Sequence, residues 1–221
     1  MPDVNFSHTP ISGSASEDHA LSRSLLDRVA AGQAGGAVRV WAPVPALALS
    51  RLDELRPGAG AATAAATRAG VQTVRRVSGG HAVVLGSGSF CAGFAEPAAS
   101  FEGTQQRYER LSAALIAAFA DVGVEAEHGA LDGEWCPGTW SIRADGVKLA
   151  GLAQRAVKGA AWVEAVVDLA PDPAVRSLLT EVYAELDLPL DPSTLGSVSE
   201  VRGHAVGFDE LGVALLERLS F

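Results

Sequence analysis

The feature that most constrains the fold lies between Trp140 and Gln154, in WSIRADGVKLAGLAQ. Two runs of strand-like alternation flank Asp145-Gly146, a dipeptide that favours a tight two-residue hairpin turn because both positions tolerate positive φ. Such a turn sets Ala144 opposite Val147, Arg143 opposite Lys148 and Ile142 opposite Leu149. Alternation then predicts a core face of Trp140, Ile142, Val147 and Leu149, and a second face of Ser141, Arg143, Lys148 and Ala150. Two cations directly opposite one another are destabilising unless an anion or solvent relieves them. A bound carboxylate or phosphate is one source of relief, and splaying into water is the other.

The rest of the chain supplies a core for this hairpin. With 221 residues, 48% of them hydrophobic and 19% charged, it fits a soluble globular class, and residues 16–221 are expected to form one domain behind a polar, flexible tail at 1–15. Leu21, Leu25, Leu26 and Val29 recur at helical spacing after Ser16-Glu17-Asp18. AVRVWAP reads as a short strand with Arg39 outward, ALALS as a second strand, and the Ala-rich stretch 59–69 as a helix ending at Gly70. Val71 to Val74 and CAGFA are further strands. Phe101, Tyr108, Leu111, Leu115, Ile116 and Phe119 mark the longest helix, with Gln105, Arg107, Glu109 and Arg110 on its wet side. VEAEH reads as an edge strand and HGALDGEWCPG as an irregular loop. AAWVEAVVDL is a last buried strand, and helices follow over 175–186 and 208–219, separated by a mostly extended LPLDPSTLGSVSEV. Strands and helices neither alternate strictly nor segregate, which predicts an α+β fold with a mixed, largely antiparallel sheet flanked by helices.

Several chemistries fail on residue type. Cys91 and Cys136 are too far apart for a Cys-x-x-Cys metal site, and the histidines at 8, 19, 81, 128 and 204 lack ligand spacing, so no metal is assigned. A net charge of −9 disfavours general nucleic-acid binding. No apolar run is long enough for a membrane span and no signal peptide is evident, so the expected location is the cytoplasm. No P-loop, G-x-S-x-G elbow or H-E-x-x-H pattern is present. What stands out is Arg75-Arg76-Val77-Ser78-Gly79-Gly80-His81-Ala82-Val83, where guanidinium groups and a Gly-Gly backbone are able to approach an anion closely. A plain surface turn between strands is the other reading.

Arg75-Arg76-x-Ser78-Gly79-Gly80-x-Ala82-Val83 resembles the RRxSGGxAV signature of the lipoate-protein ligase A family, which includes octanoyltransferases. The segment from Gly146 to Arg155, GVKLAGLAQR, is similar to that family's GxKxxGxAQR. The helix DHALSRSLLDRV and the strands of RVWAPVPALALSR extend the resemblance over roughly residues 16–170. It implies a class II synthetase fold shared with biotin protein ligases, with an acyl chain in an apolar tunnel beside the Arg-Gly-Gly loop. Lys148 then matches the family lysine that contacts the acyl carbonyl or the acyl-adenylate phosphate. Arg75, Arg76, Ser78, Gly79, Gly80, His81, Ala82, Arg143, Gly151 and Ala153 are the accompanying substrate-binding candidates.

The chain departs from the family pattern in places. Glu164, Ala165 and Val166 stand near the positions of a usual His-Gly-Ser or His-Gly-Thr triplet. His81 follows Gly80 where Gly or Arg is usual, and Ser50 replaces a glycine before Arg51. About 50 residues follow the last expected core strand, too few for the accessory domain of full ligases.

Three functions compete. A ligase would use ATP with Mg to activate lipoate and transfer it to a lysine of a lipoyl carrier domain, either a glycine cleavage H protein or a 2-oxoacid dehydrogenase E2. An octanoyltransferase would draw on acyl carrier protein and form a thioester on Cys136. A non-catalytic lipoyl-binding protein would bind without turnover. Ser78-Gly79-Gly80 is nearer the ligase form, so the sequence favours the ligase, with Cys136 as the residue that separates it from the transferase.

Overall fold

The computed structural model describes residues 2–99 and 101–219. Its backbone is a seven-stranded sheet in the order β1-β2-β6-β10-β9-β8-β7. The strands are β1 (Asp3–Ser7), β2 (Ala37–Trp41), β6 (Ser89–Ala98), β10 (Gly159–Asp168), β9 (Val147–Val157), β8 (Ile142–Ala144) and β7 (Glu127–His128). Only the β1–β2 pair is parallel among these described strands. A second sheet, β4-β3-β5, is built from β3 (Ala46–Leu49), β4 (Gln72–Arg75) and β5 (Val83–Leu85).

Both faces of the large sheet are covered, so its central strands are apolar on both sides. Phe90, Ala92 and Phe94 of β6 join Val163, Ala165 and Val167 of β10 under α4 (Thr104–Asp121) and α7 (Phe208–Arg218). On the opposite face, Cys91, Ala95, Ala160 and Trp162 meet α1 (Ala15–Ala30), α3 (Ala59–Arg68), α5 (Pro173–Glu185) and the small sheet. Gly93 is required in this second layer, since a Cβ there would stand 2.8 Å from the Trp162 ring and 2.6 Å from the Val163 carbonyl. The helix starts are set locally. Ser14 accepts from the Glu17 amide to cap α1, and Asp172 accepts from Val175 to cap α5.

Covering both faces of the sheet overturns several expectations. Arg39 is fully buried rather than outward, because α1 lays Asp18 and Ser22 over it; the guanidinium pairs with the Asp18 carboxylate and donates to Ser22 Oγ at 2.7 Å. Arg107 is 2% exposed instead of solvated, held by Gln154 Oε1 at 3.1 Å, and Arg110 pairs with Glu96 at 2.5 Å. Residues 3–7, assigned to a flexible tail, form β1, because Phe6 packs edge-on against Phe208 and beneath Gly212 of α7. The stretch expected to be extended near 188–201 contains a 3-10 turn at Pro192–Thr194 and the short helix α6 (Val198–Arg202).

The Asp145-Gly146 hairpin forms with φ values of 51° and 78° and sets Arg143 opposite Lys148. An irregularity between Ile142 and Arg143 shifts the next pair, so Ile142 faces Ala150 rather than Leu149. Among the described residues, no helix is long and apolar enough to cross a membrane.

Candidate active site

The two unusual sequence stretches meet on the face of the large sheet that the small sheet covers. The segment between β4 and β5 crosses that face, and the segment between β7 and β8 folds back against it with Cys136 at its tip. Cys136 has φ 41°, a left-handed conformation that costs a non-glycine residue roughly 1–2 kcal/mol and so needs support from its surroundings. Its sulfur receives the His81 amide at 3.2 Å and Nη1 of Arg76 at 3.4 Å. The same Arg76 nitrogen donates to the His81 carbonyl. Tyr183 ties the two segments together: its Oη accepts from the Cys136 amide at 2.6 Å and donates to the Ala82 carbonyl at 3.0 Å. Burial raises the pKa of that phenol, keeping it a neutral donor.

Gly80 explains the fit of the two segments. At φ 106° it occupies backbone space closed to other residues, and a Cβ would lie 2.6 Å from the Cys136 sulfur and 2.8 Å from Arg76 Nη1. Gly79, by contrast, has nothing within 4 Å of a Cβ. Ser78 is fastened to the sheet through Glu164, whose Oε1 accepts the Ser78 hydroxyl and whose Oε2 accepts the Trp162 indole N–H at 2.8 Å. Glu164 thus occupies the region of the family's missing triplet as an acceptor for both loop and sheet.

Lys148 corrects the expectation of a solvent-facing hairpin lysine. It is 0% exposed, and Nζ donates to Glu134 Oε1 at 3.0 Å, to the Trp135 carbonyl at 2.7 Å and to the Cys136 carbonyl at 3.0 Å. It also lies 4.3 Å from the centre of the Trp135 ring. Burial lowers its pKa, with Glu134 opposing the shift. Gly151 makes room for this packing, since a Cβ would meet Trp135 at 3.2 Å and Lys148 Nζ at 3.3 Å. Ala153 pairs with Glu164 across β9 and β10.

Two candidates stand apart from this cluster. Arg143 has an anion, but it is Glu127 at 3.0 Å on the neighbouring strand, so the opposed cations are relieved separately by two acids of the protein. Arg75 pairs with Glu54 at 2.5 Å on α2 (Arg51–Glu54) and lies in an open cleft of about 840 Å³ outside the loop. Among the described residues, Arg23, Arg51, Arg75, Arg76 and Arg155 line that cleft and no acid does, in a chain with 17 cationic and 26 acidic residues. Arg76 and His19 also border an inner cavity of about 30 Å³ walled by Trp41, Val83, Leu85, Cys91, Val166 and Glu164.

Sequence reasoning missed Glu134, Tyr183 and Asp53. Asp53 is fully buried and lies 3.2 Å from His81 Nδ1, while its other oxygen accepts the Ser50 amide and hydroxyl. The Ser50-x-x-Asp53 capping box was readable as a helix start. Glu134 and Tyr183 left no local signal, because their partners are fixed only by tertiary structure.

Residues 14–220 match the lipoyl protein ligase A/B catalytic domain. The chain is 31% identical over 216 residues to an octanoyl-GcvH:protein N-octanoyltransferase of Geobacillus kaustophilus, covering 93% of this chain and 76% of that one. It is 26% identical to a lipoyl-GcvH:protein N-lipoyltransferase of Listeria monocytogenes, covering 93% and 78%. Among solved structures, lipoate-protein ligase A bound with ATP superimposes with a TM-score of 0.72 at 19% identity, over 98% of this chain and 83% of that one. A biotin protein ligase from Leishmania major in complex with biotinyl-5-AMP gives 0.55 at 12%, over 99% and 74%, in keeping with the expected α+β synthetase-like fold. The chain belongs to the lipoyl protein ligase A/B catalytic domain family.

Proposed function

We propose that this protein is an acyltransferase that moves an octanoyl or lipoyl group between lysines of lipoyl carrier domains through a thioester on Cys136. The observation that carries this reading is the setting of the Cys136 sulfur. A guanidinium N–H and a backbone N–H, from residues 60 and 55 positions away in the chain, both point at it. A thiol that merely fills space needs no such donors, whereas a nucleophilic sulfur must hold negative charge. The G. kaustophilus and L. monocytogenes relatives, whose names give GcvH as acyl donor, support the same direction.

The chemistry balances without a further reactant. The Cys136 thiolate attacks the carbonyl carbon of the acyl-lysine amide, the C–N bond breaks, and the departing amine takes up one proton. The lysine amine of a second carrier then attacks the thioester, the C–S bond breaks, one proton is released and the thiolate returns. Donor and acceptor are carriers such as a glycine cleavage H protein and a 2-oxoacid dehydrogenase E2 domain. The acyl chain enters past Arg76 into the inner cavity, whose lining side chains must part to admit it, since about 30 Å³ holds little more than water.

The ligase is the second reading, and the acid-free arginine cleft favours it. Arg51 and Arg155 suit the phosphates of ATP, while Arg23 is paired with Asp27 at 2.9 Å. Among the described residues, none lining the cleft is a carboxylate, so the cleft does not supply the oxygen ligands that Mg would need.

Intact-mass analysis separates the two. With an octanoylated H-type carrier, an apo E2 lipoyl domain and no nucleotide, the enzyme should gain one octanoyl group and pass it on, and Cys136→Ser should lose both events. Transfer that needs ATP and free lipoate, and survives Cys136→Ser, would instead establish the ligase.

A further inference from the structure

The ammonium group of Lys148 has three hydrogens. All three are directed at the segment that carries Cys136, to Glu134 Oε1 and to the carbonyls of Trp135 and Cys136. Glu134 is similarly filled. Its Oε1 also accepts the Ser141 hydroxyl and the Gly138 amide at 3.3 Å, and its Oε2 accepts the Leu131 amide at 2.8 Å. Both side chains are fully buried. The bonds of this pair therefore converge on residues 131–141, the segment that forces Cys136 into a left-handed conformation.

We propose that Glu134 is a positioning residue, the centre of a buried clamp with Ser141 and Lys148 that fixes the Cys136 backbone so that its sulfur meets the His81 amide and Arg76. The inference rests on the reading of Cys136 as the acyl-accepting thiol, and it adds Glu134, which the family signatures leave unassigned.

The test uses the full chain and iodoacetamide, with no acyl substrate, and peptide mapping to follow Cys136. Cys91 is 1% exposed, so its alkylation reports unfolding. Glu134→Gln removes a negative charge near the sulfur, and a field effect alone would accelerate alkylation. Release of the clamp has the opposite sign, because the sulfur loses its donors: alkylation should slow about tenfold, the scale of one charge-assisted hydrogen bond. In acyl transfer the same variant should lower kcat and leave KM for the carrier unchanged.

Ser141→Ala removes one Glu134 donor without changing charge and should slow alkylation in the same direction by about twofold; Ser141→Thr should restore it. An alkylation rate for Glu134→Gln at or above wild type overturns the clamp. If Glu134→Gln exposes Cys91, Ser141→Ala decides, and an unchanged rate overturns it. Retention of acyl transfer by Cys136→Ser overturns the thiol reading separately, whatever the alkylation rates show.

Discussion

Nη1 of Arg76 lies 3.4 Å from the sulfur of Cys136 while also donating to the carbonyl of His81, the residue whose amide is the sulfur's other donor. One guanidinium therefore braces the loop and faces the sulfur. Arg76→Gln should lower acyl transfer by about 10- to 100-fold, as expected for a lost hydrogen bond to a charged group. Arg76→Lys should recover little, because an ammonium lacks the planar fork that serves two acceptors at once. The measurement is single-turnover formation of the acyl-enzyme, and near-wild-type rates for Gln would remove Arg76 from the site.

The two glycines of the loop should behave differently. Gly80→Ala introduces a methyl against the sulfur and forces a side chain into φ 106°, so it should cost about 1–3 kcal/mol of stability and most of the transfer rate. Gly79→Ala meets open space and should stay close to wild type in both. Parallel melts and transfer assays check this. Equal damage at both positions would mean that the loop binds its ligand through Gly79 as well.

For Lys148→Ala the buried position makes the substitution costly to the fold as well as to transfer. It leaves Glu134 as an uncompensated buried carboxylate, a change of about 3–5 kcal/mol against a total stability of about 5–15 kcal/mol. Replacing both partners, Glu134→Gln with Lys148→Met, should cost less than Lys148→Ala alone because no charge is stranded. Urea unfolding decides, and a single variant as stable as wild type would show that water reaches the pair.

What the chain disclosed before folding was the local part of this site. The Asp145-Gly146 turn gave the opposition of Arg143 and Lys148, and the Ser78-Gly79-Gly80 backbone gave a close approach, although the group approached is the Cys136 sulfur. Alternation along a strand separates two faces but does not say which is wet. Arg39 and Lys148 were placed outward on that ground, yet α1 covers one and the 131–141 segment the other. That segment has no period to read, because its order comes from one carboxylate gathering amide, hydroxyl and ammonium donors. Tyr183 was equally hidden, being one more apolar position on the buried side of α5 until its hydroxyl is seen to reach Cys136 and Ala82.

Asp168 gives the fold a pH signature of its own. It ends β10 among Trp135, Val175, Arg176 and Leu195, and burial pushes its carboxyl up to about 7, against the pull of Arg176, Lys148 and the Trp135 indole. The unfolded chain releases that proton near 3.8. Between these values the native state holds a proton that the unfolded state does not, so this residue's contribution to stability falls as pH rises from about 4 to about 7 and is constant above. Asp168→Asn cannot ionise and should remove that slope. Its Tm should exceed wild type at pH 8, by about 2–4 °C for each kcal/mol gained, and the two should converge towards pH 4. A Tm difference that stays constant across pH 4–8, or widens towards acid, would show that Asp168 is ionised in the native protein throughout.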